Sequence, residues 1–154
     1  GRRLDYWVSG WGTGGTLTGT GEMLKLARPE IKIIAAEPAE AALLSGSEWH
    51  SHKIQGWTPD FIPDVLNKDI ADQILAVTDE AAKKWALRLA SEEGLFVGLS
   101  CGGTLAAAIK VAESAPEGTV ILSMLPDTGE RYLSTYLFDG MNEGSDDAWL
   151  ASLD

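Results

Sequence analysis

The sequence predicts an α/β domain in which helices cover both faces of a parallel sheet. Short apolar runs alternate along the chain with longer runs of helical spacing, which is the pattern of β-α-β units. In the first of these units a glycine-rich turn joins a strand at Tyr6–Ser9 to a helix that ends before Arg28-Pro29. The expected architecture therefore has three layers, with the sheet lying between two layers of helices.

The later elements follow from the same two periodicities. The further strands are predicted at Ile31–Ala36, Ile74–Val77 and Val120–Leu125, and the further helices at Ala81–Glu93, opened by Thr78-Asp79-Glu80, and Thr104–Ala115. No period holds between residues 45 and 67, and a loop of this length in a compact domain is more often functional than idle. We expect residues 1–140 to form one partial α/β domain and residues 141–154 to form a frayed acidic tail.

Composition excludes several classes of function. A chain of 154 residues that is 45% hydrophobic can form one domain with a proper core. The net charge of -11 disfavours nucleic acid and acidic membrane surfaces as partners, and no apolar run approaches the roughly 20 residues of a membrane-spanning helix. A single cysteine excludes an internal disulfide and fits a reducing cytoplasm. Because the chain enters a strand within a few residues and has no initiating Met, we expect it to be a fragment.

The glycine-rich turn predicts a phosphate-binding site. In Gly12-Thr13-Gly14-Gly15-Thr16, several backbone N–H groups can converge at a helix N-terminus, where the helix dipole adds partial positive charge. The two threonine hydroxyls can add donors. A Walker-type triphosphate site is excluded because no Gly-Lys-Ser/Thr sequence closes the loop. The alternative is a tight structural turn, but glycine at four of the six positions 10–15 favours binding.

The residues alone leave the phosphate compound open. The segment Gly10–Gly15 satisfies the G-x-G-x-x-G pattern of dinucleotide-binding folds, and Glu37 ends the next strand, where an acid would meet a ribose hydroxyl. A nicotinamide-dependent dehydrogenase is therefore an alternative. His50 and His52 are a weak metal candidate, because no Cys or further His completes a ligand shell. Cys101 precedes a helix and could have a lowered pKa, but small buried filler is the favoured interpretation.

Five segments in the same order resemble the cysteine synthase (O-acetylserine sulfhydrylase) and cystathionine β-synthase family. They are Trp7–Gly19, Glu37-Pro38, His52–Gly56 with its continuation Phe61–Pro63, Gly98–Gly102 and Pro126–Thr135. The resemblance covers about Asp5 to Phe138. It implies a three-layer domain that is the larger, C-terminal domain of the fold type II (tryptophan synthase β-like) pyridoxal-phosphate enzymes, incomplete in this chain.

The resemblance also implies the roles of individual residues. Ser100 would meet the pyridine nitrogen of pyridoxal 5'-phosphate, although an N-cap of the next helix is an equally good interpretation from the sequence. Gln55 and Gly56 would lie at the substrate entrance. An ordinary polar loop without a functional role is an equally good interpretation of these two residues. A neutral hydroxyl at the pyridine nitrogen would leave the ring a weaker electron sink, which suits replacement at the β-carbon. The cofactor phosphate would be held by the loop residues Gly12, Thr13, Gly14, Gly15 and Thr16.

By the same resemblance, the complete enzyme would be a cytoplasmic homodimer that makes cysteine and acetate from O-acetylserine and sulfide. The family's Schiff-base lysine lies in a Ser-x-Lys-Asp-Arg type segment that this chain lacks, as it lacks the Thr-Ser-Gly-Asn-Thr substrate loop. We therefore expect no catalytic residue here and no activity from the chain alone. Trp11 and Trp57-Thr58-Pro59-Asp60 depart from the family pattern and leave the acceptor nucleophile open. A non-catalytic module that binds a serine acetyltransferase C-terminus is a further alternative, and Glu130-Arg131 is expected to form a structural ion pair.

Overall fold

The computed structural model describes residues 3–141, 144, 147 and 150–152. Within them lies a four-stranded parallel sheet of order β3-β2-β1-β4, formed by β1 (Tyr6–Gly10), β2 (Lys32–Pro38), β3 (Gln73–Val77) and β4 (Ile121–Ser123). Three α-helices accompany it, namely α1 (Gly15–Ala27), α2 (Asp79–Glu93) and α3 (Leu99–Ala112). Short 3-10 turns occupy Ala39–Ala41, Lys68–Ile70, Gly129–Tyr132 and Tyr136–Phe138. The predicted α/β class with a parallel sheet is confirmed, while the predicted acidic tail falls largely outside the described residues.

The alternation of side chains along β2 explains the three layers. Ile34 and Ala36 pack into a core with residues of α2 and α3, whereas Ile33 and Ala35 pack into a second core with Leu17 of α1. Successive strand residues point to opposite faces, so the apolar run at residues 33–36 must be covered on both. Each face of the sheet therefore has its own apolar core.

Helix α2 follows the predicted capping pattern. The Thr78 side chain accepts a hydrogen bond from the backbone N–H of Ala81 at 3.1 Å, and Asp79 and Glu80 lie in the first turn. The helix ends at Gly94, which adopts a left-handed φ of 70°. Within the described residues, no helix has both the length and the apolar character needed to cross a bilayer.

Helix α3 begins at Leu99, before the predicted start at Thr104, and ends at Ala112 instead of Ala115. Its N-cap is Gly98, so the interpretation of Ser100 as an N-cap is wrong. Gly102, which lies before the predicted start, serves helix packing: a side chain on Gly102 would collide with the carbonyl oxygen of Ala82 in α2. The two helices approach closely at this point, and the segment that follows Gly98 is helical.

Strand β4 is shorter than the predicted Val120–Leu125 because it lies at an edge of the sheet. It pairs only with β1, over Ile121–Ser123. One further backbone bond, from Met124 N–H to the Val8 carbonyl at 2.9 Å, holds the chain beyond the strand's end. The carboxyl ends of β1 and β4 are thereby kept side by side, where the glycine-rich turn begins.

Candidate functional site

A cavity of about 130 Å³ lies at the carboxyl ends of β1 and β4. This edge of a parallel sheet is where open α/β folds bind ligands. The volume is several times the ~30 Å³ that one water takes up in the liquid, so a phosphate group has room. The cavity is lined by the glycine-rich turn, by the loop before β3 and by parts of α3 and the chain after β4: Ser9, Gly10, Trp11, Gly12, Thr13, Gly14, Thr16, Leu17, Gly56, Trp57, Thr104, Met124 and Pro126.

The N-terminus of α1 opens at this cavity without a protein cap. Its N-cap is Gly14, which has a left-handed φ of 87°, makes no side-chain capping bond and is followed by no acidic residue in the first turn. Helix α2, by contrast, is capped by Thr78 and carries two acids there. The first N–H groups of a helix lack intrahelical partners and attract anions. The arrangement at α1 therefore suits a bound phosphate.

The loop between β2 and β3 closes one side of the cavity through backbone contacts. A side chain on Gly12 would collide with the carbonyl oxygen of Gly56, so glycine is required for this approach. The backbone N–H of Thr58 donates to the Trp11 carbonyl at 2.8 Å. Gly56 thus meets the glycine-rich turn, but Gln55 lines a separate cavity with His52, Lys53 and other residues. Of the two predicted entrance residues, only Gly56 lines the cavity at the glycine-rich turn.

Trp57 is a site residue that the sequence identified only as a departure from a family pattern. Its side chain is buried, and a methyl group on either Gly10 or Gly103 would collide with the indole. The ring therefore lies between the end of β1 and the first turns of α3, where it forms a wall of the cavity. Glycine at both facing positions was the available signal, since a large ring needs two missing side chains here.

Ser100 and Thr104 lie one turn apart on α3. Ser100 is buried at the second position of the helix and is not among the residues that line the cavity. Thr104 does line it, and its hydroxyl lies 2.9 Å from the Cys101 carbonyl and within hydrogen-bonding distance of the Met124 carbonyl. Sequence reasoning missed Thr104, although residues four apart on a helix share a face.

Glu37 does not have the geometry that the dinucleotide alternative needs. Its side chain is fully buried, and its carboxylate accepts hydrogen bonds from the backbone N–H groups of Leu44 and Ser45, each at 3.0 Å. The Ser45 hydroxyl donates a third bond at 2.7 Å. A carboxylate buried in this way is a structural anchor for residues 44–45 and does not meet a ribose.

His52, one of the two candidate metal ligands, has structural surroundings. The Nε2 atom of His52 lies 3.2 Å from the Thr58 carbonyl, which also accepts a bond from the Trp49 indole N–H at 3.0 Å. In the part of the chain that the structure describes, no three or more His, Cys, Asp or Glu side chains come together as metal ligands would.

The chain is similar in sequence to a known protein family. Residues 1–127 match the sequence profile of the family described as "Pyridoxal-phosphate dependent enzyme". The match covers far more than half of the chain. The chain belongs to this family. The cofactor class that the glycine-rich turn left open is therefore pyridoxal phosphate, as the resemblance to cysteine synthases implied.

Two curated relatives are similar to the chain over most or all of its length. It is 58% identical over 154 residues to an O-ureido-L-serine synthase of Streptomyces lavendulae. This alignment covers 100% of the chain and 48% of that protein. The chain is 46% identical over 138 residues to a probable cysteine synthase of Bacillus subtilis (strain 168), covering 90% of the chain and 44% of that protein. The chain thus spans about half the length of the curated relatives it matches.

Solved structures give the same picture of the fold. One is a lysine-to-alanine mutant of O-ureido-L-serine synthase that was crystallised with O-ureido-L-serine bound. It matches with a TM-score of 0.94 at 57% identity, and the match covers 99% of this chain and 48% of that chain. A cysteine synthase from Entamoeba histolytica matches with a TM-score of 0.86 at 41% identity, and the match covers 97% of this chain and 45% of that chain. The predicted fold type II architecture, incomplete in this chain, is confirmed.

The residues present fit the phosphate end of pyridoxal phosphate. The cavity, the uncapped helix and the close backbone approach at Gly12 have the geometry that main-chain anion sites use. Among the described residues, those that line the cavity include no lysine. Lys25 and Lys32 instead pair with Asp72, and Lys53 lies over the ring of Tyr136.

Cys101 is a small buried residue, the interpretation that the sequence favoured. It is fully buried, and burial raises the pKa of its thiol to about 11. Burial and the neighbouring Asp127 carboxylate likewise raise the pKa of Tyr132 to about 12.

The expected ion pair between Glu130 and Arg131 does not form: the Glu130 carboxylate accepts a bond from the Thr128 hydroxyl at 3.1 Å. That expectation was wrong, because adjacent residues of a 3-10 turn project in different directions.

Proposed function

We propose that this chain is the cofactor-phosphate part of an enzyme that replaces the β-substituent of an O-activated L-serine. The observation that carries the proposal is the uncapped N-terminus of α1 at a main-chain cavity, in a chain of the pyridoxal-phosphate family. When bound, the cofactor supplies the electron sink for breaking bonds at the α- and β-carbons. The protein's own contribution is to bind, orient and shield it.

The residues of the site have separate tasks in this proposal. Gly12, Thr13, Gly14, Gly15 and Thr16 bind the phosphate through backbone N–H and hydroxyl donors. Buried Trp11 and Trp57 exclude water from one wall of the cavity.

The pyridine end and the substrate entrance are assigned to other residues. Ser100 donates its hydroxyl to the pyridine nitrogen, and Gln55 with Gly56 flanks the entrance. The Schiff-base lysine comes from outside residues 1–154. Borohydride reduction of the loaded protein followed by peptide mass spectrometry tests this last point: a phosphopyridoxyl lysine within this chain would contradict it.

The relatives support two candidate pairs of substrates. With O-acetyl-L-serine as donor and sulfide as nucleophile, the C–O bond at the β-carbon breaks, a C–S bond forms, and the products are cysteine and acetate. A second candidate is favoured by the 58% identity to an O-ureido-L-serine synthase. The connectivity of O-ureido-L-serine requires the hydroxyl oxygen of hydroxyurea as nucleophile, again with acetate leaving. The unusual segment Trp57–Asp60 beside the cavity is consistent with a changed acceptor.

A competition assay separates the two candidates. The full-length enzyme that contains residues 1–154, supplied with pyridoxal phosphate and O-acetyl-L-serine, receives equal concentrations of sulfide and hydroxyurea, and the products are measured by liquid chromatography and mass spectrometry. An excess of cysteine supports the first candidate, and an excess of O-ureido-L-serine supports the second. Bound cofactor without release of acetate from O-acetyl-L-serine would contradict β-replacement altogether.

Two features of the assembly belong to the same proposal. Residues 1–140 form the cofactor domain, residues 141–154 form a tail, and the active enzyme is a homodimer. Limited proteolysis that removes only the tail, together with sedimentation of the protein at twice its subunit mass, would support these assignments. A proteolytic site inside residues 15–112, or a monomeric active enzyme, would contradict them.

A further inference from the structure

The loop before α3 and the loop after β4 are fastened together. Val97 and Thr128 form an isolated antiparallel bridge, and the backbone N–H of Gly129 donates to the Phe96 carbonyl at 3.0 Å. A Cβ atom at Gly129 would lie only 3.0 Å from the nearest carbons of the Phe96 ring. The start of α3 is therefore held by the chain that follows β4, and not by its own loop alone.

Asp127 lies at the centre of this junction. Its carboxylate accepts a hydrogen bond from the Tyr132 hydroxyl, and the Cys101 thiol lies 3.3 Å from its carbonyl oxygen and 3.4 Å from Oδ1. The same Oδ1 atom lies so close to Gly98, the N-cap of α3, that a side chain there would collide with it.

The charge of Asp127 suits this position. Helix α3 has no side-chain capping bond and no acid in its first turn. A carboxylate beside a helix N-terminus interacts favourably with the helix dipole, and here it comes from another loop. Asp127 thus contacts the residues on both sides of Leu99 and Ser100, namely Gly98 and Cys101.

We propose that Asp127 is a positioning residue, which fixes the first turn of α3 so that Ser100 meets the pyridine nitrogen of pyridoxal phosphate. The inference rests on the proposed function. Asp127 itself is not among the residues that line the phosphate cavity, although its neighbour Pro126 is. Its influence on the cofactor should therefore pass through Ser100 and leave the phosphate site unchanged.

A double-mutant cycle between Asp127→Ala and Ser100→Ala tests the inference in the full-length protein. The probes are pyridoxine 5'-phosphate, which has the pyridine ring but no aldehyde to react with a lysine, and inorganic phosphate. Losing one neutral hydrogen bond should weaken pyridoxine phosphate binding by about 2- to 12-fold in each single variant. The double variant should be no weaker than Ser100→Ala alone, because the two residues act on one contact. Inorganic phosphate should bind all variants equally.

Three further variants keep the test decisive. Asp127→Asn retains the shape and one acceptor, so its affinity for pyridoxine phosphate should lie between those of wild type and Asp127→Ala. Tyr132→Phe should lose part of this affinity while its ring stays packed. Asp72→Ala is the matched control. Asp72 accepts a backbone bond from Ile33 at 2.8 Å and pairs with Lys25 in another part of the sheet, so its loss should lower stability without changing the ratio of the two affinities.

Two results would overturn the inference while leaving the proposed function intact. One is an equal loss of inorganic phosphate binding in Asp127→Ala, which would mark a merely structural role. The other is a double variant in which the two losses multiply. If the wild-type protein binds inorganic phosphate but gains nothing from the pyridine ring, the proposed function fails first and the inference falls with it.

Discussion

Gly14 marks the point where the glycine-rich turn becomes helix α1, and Gly14→Ala tests the turn most sharply. Alanine would have to adopt the left-handed φ of 87°, which costs about 1–2 kcal/mol. Its Cβ would lie 2.7 Å from the Leu66 Cβ and 2.9 Å from the Leu66 Cα, and overpacking of this kind costs about 1–3 kcal/mol. We therefore expect a loss of about 2–5 kcal/mol in the free energy of unfolding.

Urea unfolding measures this loss as a shift in midpoint at constant slope, and titration with inorganic phosphate measures the site. Phosphate binding should be lost, because the first turn of α1 has to move. Gly19→Ala is the matched control: it lies inside the same helix with nothing within 4 Å of its position, so it should stabilise by about 0.5–1 kcal/mol and bind phosphate normally. A Gly14→Ala variant as stable as wild type and with normal phosphate affinity would refute the account of the turn.

Three other changes have clear expected outcomes. Trp57→Ala should lower the free energy of unfolding by about 3–5 kcal/mol in urea, because it empties the space between Gly10 and Gly103; a loss under 1 kcal/mol would mean that the ring is not packed there. Thr78→Ala should cost about 0.5–2 kcal/mol in thermal melts by removing the cap of α2, and Thr119→Ala, outside any helix, should cost less. Burial raises the pKa of the Cys101 thiol from an ordinary 9.0 to about 11, so the stability this supplies is complete below pH 9 and is lost as pH rises toward 11. Urea midpoints across this range should fall less steeply in Cys101→Ala, and identical slopes would contradict the assignment.

The sequence predicted the elements whose periodicity is strong and local. The strands at residues 6, 32 and 73 and helix α2 with its Thr78 cap lie close to their predicted positions. The start of α3 was predicted late, because Gly102 and Gly103 resemble a turn until the helix and indole packed against them are known. Close packing between distant segments leaves no periodic trace in one sequence.

The site was predictable to the same extent. The phosphate loop follows from backbone chemistry at residues 12–16, which is local. Glu37 fitted a ribose-binding position by its spacing from the glycine-rich turn. Its carboxylate instead accepts hydrogen bonds from three donors of residues 44–45, and no sequence pattern predicts such partners. Thr104 and Trp57 reach the cavity only through the packing of α3 and the loop before β3 against β1. The separation of Gln55 from Gly56 depends likewise on how that loop turns.

A crystal structure of the protein with pyridoxal phosphate would show whether α1 binds the cofactor phosphate. We expect density for that phosphate at the N-terminus of α1, within about 3 Å of backbone nitrogens of residues 12–16. We also expect no lysine of this chain to be bonded to the cofactor. Phosphate density at any other place, or a covalent bond from the cofactor to one of the seven lysines of this chain, would contradict these expectations.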